Sequence, residues 1–291
     1  MITAPPLTAG ARPSIPRRLR TAAWLGWQIE SNWADPLTFV VYTLLRPVGT
    51  ALILAGIYWA ASGEGPRPER FAAFYVANAF HEYVTRVLLG MGWIVVEERE
   101  EYETLRLLYT SPVGMLVYLT GRASVKYALA TCSVLIVLTL GWFAFGLRWD
   151  WSAVAWVPLL VSLALGLIAT LFLGFLMAGW ALTLPRIAIS VNEGVGVALY
   201  LLCGVIFPID LMPRVLQWLS LALPFTYWYE ALRRYLLGSG ASGLLNTWSD
   251  AHLVGALAVT TVVFGALSVW GYGALERSAR RSGRLDMTTL F

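Results

Sequence analysis

The sequence predicts an all-α integral membrane protein, and three observations carry that prediction. Of its 291 residues, 58% are hydrophobic and only 13% are charged, about half of the roughly 25% charge that soluble domains carry. The mean hydropathy is +0.66. Apolar runs recur along the chain, each reaching the roughly 20 residues that a membrane-crossing helix requires. Together these exclude an ordinary soluble enzyme, a disordered regulator and an array of polar repeats. The net charge of +4 does not signal nucleic-acid binding, which needs basic residues gathered on one solvated face. Here Lys and Arg fall mostly beside apolar runs, as the positive-inside rule describes. Cys132 and Cys203 both sit inside apolar runs and form no CxxC, so they read as small buried hydrophobes.

The elements follow in order within one domain over 1–291. Residues 1–35 precede the bundle, and Ile15 to Trp33 has helical periodicity. Ile15, Leu19, Ala22, Ile29 and Trp33 fall on one face, and Arg17, Arg20, Gln28 and Ser31 on the other. Such an amphipathic helix lies in the membrane interface. The first long apolar run begins only near Leu37, too late and too long for a signal peptide. Six spans then occupy 37–60, 71–94, 122–146, 152–182, 187–207 and 250–275, so the bundle covers 37–275. Between the fifth and sixth, Pro208, Pro213 and Pro224 interrupt an apolar stretch that also holds Asp210, Arg214, Glu230, Arg233 and Arg234. Proline forbids a continuous helix, which predicts a re-entrant pair of short helices. Residues 276–291 form a tail.

Orientation follows from Lys and Arg. With both termini in the cytoplasm, the inner side gains Arg12, Arg17, Arg18, Arg20, Arg99, Arg106, Arg122, Lys126, Arg186, Arg277, Arg280, Arg281 and Arg284. The outer side gains only Arg67, Arg70, Arg148, Arg214, Arg233 and Arg234. This asymmetry places a multi-pass protein in the plasma membrane with cytoplasmic termini.

No catalytic motif appears. A P-loop needs a lysine after a glycine turn, and the single lysine, Lys126, has none. There is no GxSxG, no HExxH and no cluster of aspartates for metal chemistry. His81 and His252 lie on different spans. The chain is therefore read as not an enzyme, with no cofactor or metal of its own.

The densest charge lies between the second and third spans, where Glu97, Glu98, Glu100, Glu101 and Glu103 fall within seven positions. As one helix ending before Pro112, this segment would align Tyr102, Leu105 and Tyr109 on an arc flanked by Arg99 and Arg106. An aromatic ridge beside arginine has the composition of a docking surface; a solvated linker is the plainer alternative. The run Glu98-Arg99-Glu100-Glu101-Tyr102-Glu103-Thr104-Leu105-Arg106-Leu107-Leu108-Tyr109-Thr110-Ser111-Pro112-Val113 resembles the coupling-helix region of ABC-2 type permeases. A second match runs through Gly204-Val205-Ile206-Phe207-Pro208, Leu211-Met212-Pro213, Leu223-Pro224-Phe225-Thr226-Tyr227 and Glu230-Ala231-Leu232-Arg233. The resemblance covers the whole chain in element order. It departs at Glu103 and Arg106, where family members often carry Gly and an acidic residue. It implies a cytoplasmic coupling helix between spans two and three, a second permease copy or homologous permease in the bilayer, and a separate cytosolic P-loop ATPase that binds ATP and Mg. The docking residues it implies are Arg99, Tyr102, Glu103, Leu105, Arg106 and Tyr109.

Ionisable groups inside spans invite a functional reading. Asn78, Glu82 and Arg86 recur every four residues on the second span, Asn192 and Glu193 sit on the fifth, and Arg46 on the first. Arg46, Arg86 and Glu193 lie about 14, 12 and 9 Å from the inner ends of their spans at 1.5 Å per residue. They are expected to meet at one level, with Arg86 or Arg46 paired to Glu193, either as structural ion pairs or along the transport path. Ser190, Gly194 and Ala198 form a small-residue ladder on span five, suited to a subunit interface or the path. Gly174 and Ala178 repeat it on span four for internal packing. Trp59, Trp142, Trp149 and Trp151 read as interfacial anchors. Phe207, Tyr227 and Trp228 read as anchors or as an aromatic outer gate. The function implied is export of an amphipathic or hydrophobic compound, drug or lipid-like. Export of lipid-linked polysaccharide is the nearest alternative, and an ion-coupled secondary transporter using Glu82 and Glu193 a more distant one.

Overall fold

A computed structural model of the chain describes residues 14–32, 35–61, 68–147 and 150–283. Arg12, Trp33, Arg67, Arg148, Trp149 and Arg284, used in the readings above, lie outside the described residues. All regular structure among the described residues is helical. Helix α1 spans Ile15–Asn32 and lays Ala22 and Gly26 against the bundle while Trp24 and Trp27 stay exposed. Asp35 caps α2 (Pro36–Ala61): its Oδ2 accepts from the Thr38 amide at 3.1 Å, satisfying a donor the first turn leaves free.

The second predicted span is longer than its apolar run. Helix α3 (Pro68–Val84) passes through a π-turn at Thr85–Leu89 into α4 (Gly90–Val96) and a second π-turn at Glu97–Glu101. The junction residues Val84, Leu89 and Val96 keep right-handed helical dihedrals. The rod is therefore continuous over roughly 50 Å at 1.5 Å per residue. A short helix α5 (Leu105–Thr110) follows, then α6 (Met115–Ala144) and α7 (Trp156–Thr183). Helix α6 begins seven residues before the predicted third span, so Arg122 stands inside a helix.

The fifth predicted span shortens to α8 (Ala188–Leu202), because Gly204 takes φ +76° and turns the chain. That leaves α8 roughly 22 Å long at 1.5 Å per residue, short of a hydrocarbon core of about 30 Å. The prolines act as read: a 3-10 turn at Ile209–Leu211, α9 (Arg214–Leu221) and α10 (Pro224–Leu237) are separated at Pro213 and Pro224. After α11 (Gly243–Asn246), the longest helix, α12 (Asp250–Arg281), runs the length of the bundle. Among the described residues four helices, α2, α6, α7 and α12, are long and apolar enough to cross a membrane.

Two hydrophobic cores stack along the bundle. One gathers Val87, Met91 and Ile94 of the rod with Leu105, Leu119, Phe175 and Tyr272 at the α5 end. The other gathers Tyr75, Val84, Leu173, Phe225, Trp228 and Leu257 toward α10. The small residues of span four serve internal packing as expected: Gly174 and Ala178 are buried, and a Cβ on Gly174 would stand 2.7 Å from Met91.

Candidate functional site

The five clustered glutamates are not one solvated helix. Glu97 to Glu101 close the rod, and Glu98, Arg99 and Glu100 are buried. Glu98 is a hub. Its Oε1 accepts from Arg122 Nη1 at 2.8 Å and from the Tyr118 hydroxyl, and its Oε2 from the Thr104 hydroxyl. Arg122 Nη2 reaches Glu97 Oε2 at 2.9 Å. The chain then breaks. Glu103 adopts φ +52°, and the Thr104 amide turns back to the Glu98 carbonyl at 2.9 Å. The break swings α5 off the rod axis while Glu98 holds both sides of it.

This corrects the docking set. Arg99 is buried and donates to the Ala181 carbonyl on α7. Leu105 is 2% exposed in the core. Tyr109 is half-buried beneath the Arg280 guanidinium of α12, 4.4 Å from its ring centroid, and burial pushes its hydroxyl up to about 12. The single-helix arc failed because the φ-positive residue resets the helical phase between Tyr102 and Leu105. Tyr102, Glu103 and Arg106 do face outward, joined by Leu107 at 66% exposure. Around Tyr109, Glu276 holds Arg280 at 2.7 Å, so the end of α12 braces α5. Arg280→Ala removes a cation–π contact worth about 0.5–1 kcal/mol. Hydrogen exchange at the amides of 105–110 should then rise about two- to fivefold, whereas unchanged exchange there would show that α12 does not brace α5.

A cavity of about 570 Å³ opens beside the rod. Arg86, Trp93, Glu97 and Glu101 line it from the rod, Phe39 and Arg46 from α2, Glu30 from α1, Lys126 from α6 and Glu193 from α8. Arg46, Arg86 and Glu193 thus meet in one cavity, but the predicted pairing does not form. Arg86 pairs with Glu82 at 3.6 Å, one helical turn away. Among the described residues no ion pair includes Glu193, and Glu193 and Arg46 are exposed. The reason is a one-residue offset: Asn192, the neighbour of Glu193, points at the rod and donates to the Leu89 carbonyl at 2.9 Å, so Glu193 points elsewhere. Asn78 is buried and accepts from Tyr200 at 2.7 Å, and His81 Nδ1 lies 2.8 Å from the Tyr229 hydroxyl.

At the opposite end the aromatic gate is also corrected. Trp228 is fully buried, and Tyr227 is 6% exposed with its hydroxyl bonded to the Leu221 carbonyl at 2.7 Å. Only Phe207 is partly accessible. Helix α10 is fixed by Arg233, which donates to the Ala73 carbonyl at 2.8 Å and pairs with Glu230 at 3.7 Å. Trp59 and Trp151 are exposed as anchors should be.

Sequence reasoning missed Arg122, Lys126 and Glu30. A signal existed: five carboxylates in seven positions need cations, and Tyr118, Arg122 and Lys126 are spaced by four, on one helical face. Lys126 reaches past the rod to Glu30 of α1, its stem so close to Gly90 that a Cβ there would stand 2.1 Å from the lysine Cδ.

Comparison with known proteins bears on the whole arrangement. The sequence profile of the ABC-2 type transporter family matches residues 20–237, from within α1 to the end of α10. No curated protein matches the chain.

Proposed function

The chain belongs to the ABC-2 type transporter family, and from that premise we propose that it is the membrane subunit of an ATP-driven exporter whose power stroke enters at α5. As a family member it is a transport subunit of an ABC transporter, embedded in a membrane, and its family typically partners with an ATPase subunit. The proposal goes further. The rod, and α8 extended by the chain that turns at Gly204 toward α10, complete six crossings with the four long apolar helices, both termini face the cytoplasm, and two permeases pair in the plasma membrane. Each seats a cytosolic ATPase that holds ATP and Mg, and the cargo is an amphipathic drug-like or lipid-like compound.

One observation carries this reading: a short helix with an exposed Leu107 flanked by Tyr102 and Arg106, braced by α12 through Tyr109 and tied through Thr104 to the rod end that Glu98 and Arg99 hold to α6 and α7. An exposed leucine and tyrosine beside an arginine suit a partner's groove. The inner anchors carry a push into three helices at once. The expected test is co-purification with the ATPase subunit and hydrolysis assays on Tyr102→Ala, Arg106→Ala and Leu107→Asp. The aspartate buries a charge in the contact and should weaken capture at least tenfold, about 1.4 kcal/mol; the alanine variants should lower stimulated hydrolysis severalfold. Normal assembly and turnover in all three would remove α5 as the docking point.

A further inference from the structure

The charges around the cavity beside the rod do not balance one another evenly. Lys126 is engaged by Glu30, Glu97 by Arg122, and Arg86 by Glu82. Three lining charges have no ion pair to any described residue: Glu101 at the α5 end of the rod and, farther along the bundle, Arg46 on the α2 wall and Glu193 on the α8 wall, one of each sign. Arg46 stands about 15 Å along α2 from Pro36 and Glu193 about 8 Å along α8 from Ala188, at 1.5 Å per residue. Both helices start at the α5 end, so both charges sit within the depth of the bilayer. An ionised side chain there is costly unless it meets a counter-charge. A singly charged ligand would satisfy one wall and leave the other bare. A ligand carrying both signs satisfies both.

The rest of the lining fits the same kind of molecule. Phe39, Leu89, Trp93 and Leu129 supply apolar surface next to the charged walls. A volume of about 570 Å³ lies within the range of small-molecule sites, roughly 300–1,000 Å³, and holds a headgroup with the first part of a chain. The cavity also runs along one face of the rod, from Glu101 at the α5 end to Arg86, about 22 Å by helical rise. We propose that this cavity binds the zwitterionic headgroup of an amphiphile, with its ammonium against Glu193 and its phosphate or carboxylate against Arg46. As a statement about cargo the proposal rests on the exporter reading above; as a statement about binding it stands alone.

The test separates the two. Binding of three single-chain probes is measured on the purified permease without ATPase, in an uncharged detergent: lysophosphatidylethanolamine, lysophosphatidylglycerol and dodecyltrimethylammonium. Quenching of Trp93, isolated by subtracting a Trp93→Phe control, reports occupancy. The zwitterion should bind at least tenfold more tightly than either singly charged probe. Glu193→Gln and Arg46→Gln should each abolish that preference, and the exchange Arg46→Glu with Glu193→Arg should restore it. Both side chains are exposed, so these variants are expected to keep the wild-type melting temperature, measured in parallel. Equal binding of all three probes, or a preference that survives both glutamine variants, overturns the proposal. With the ATPase added, nucleotide-dependent loss of bound zwitterion marks it as cargo, and retention marks it as a resident lipid. If the preference holds but no nucleotide-driven movement occurs, the exporter reading fails and the site stands. If all three amphiphiles are exported alike, the site fails and the reading stands.

Discussion

Gly166→Ala should destabilise the protein by about 1–3 kcal/mol or more, the range for forcing extra volume into a packed core. A Cβ on Gly166 would stand 2.1 Å from Trp228 Cε2 and from its Nε1, well inside contact distance. The indole cannot swing away. It is fully buried, with Tyr229, Phe225 and Tyr83 rings at 5.3, 6.3 and 6.4 Å between centroids. Relief must come from moving α7 off α10, and α10 is itself pinned by Arg233. Thermal unfolding in detergent measures the loss. Trp228→Leu alone should also destabilise by leaving a cavity, yet the double variant should be more stable than the sum of the two single effects, because each defect relieves the other. A Gly166→Ala protein that melts like wild type would show that α7 and α10 do not pack through this wedge. The same geometry bears on the transport path: a ring wedged into the core closes no opening, so the end of that path has to be sought at accessible residues such as Phe207.

Much of this was legible along the chain, and the losses have specific causes. Composition and apolar runs located every long helix because burial in lipid demands length and hydropathy, both of which are local properties. Pro208, Pro213 and Pro224 broke the pre-terminal stretch where their missing donors required. The i,i+4 spacing put Glu82 and Arg86 on one face, yet the partner expected for Arg86 was Glu193, and the nearer Glu82 took it. What local reading could not supply was which charges find partners far away in sequence. Glu98 looks solvated beside Glu97 and Glu100, and becomes buried only because Tyr118 and Arg122, 20 and 24 positions later, fold over it. The arc of Tyr102, Leu105 and Tyr109 presumed one uninterrupted helix, and a single left-handed residue, Glu103, invalidated it. Trp228 followed the general preference of tryptophan for interfaces until a glycine on α7 made room for it inside.

The largest functional effect is expected from Arg122→Met. The Arg122 side chain is wholly inaccessible and bridges Glu97 and Glu98 at 2.9 and 2.8 Å. Removing one partner of a buried ion pair strands the other and costs about 3–5 kcal/mol. Here two carboxylates are stranded, and protonating one of them is the cheapest relief. Burial already raises the Glu97 carboxyl above its ordinary range, so stability of the variant should improve, relative to wild type, as pH falls through the range where Glu97 binds a proton. Converting the whole cluster, with Glu97→Gln and Glu98→Gln added to Arg122→Met, should recover much of the loss, since neutral replacement of a complete buried pair is often tolerated. Arg122→Lys separates charge from geometry: one ammonium can neutralise but cannot present the planar fork that meets both carboxylates, so an intermediate loss is expected. The readout that goes beyond folding is the ratio of cargo moved to ATP hydrolysed in the assembled transporter. Glu98 ties α5 to α6 through Arg122 and Tyr118 and across the chain break through Thr104. With Arg122 gone, α5 keeps the outward face at which ATPase docking is proposed but loses part of its grip on the bundle. Hydrolysis should then persist at assay temperatures where the variant remains folded, while transport per ATP drops severalfold. A folded Arg122→Met protein with an unchanged ratio would show that force enters the bundle by another route, with α7 through Arg99 and α12 through Arg280 the remaining contacts that could carry it.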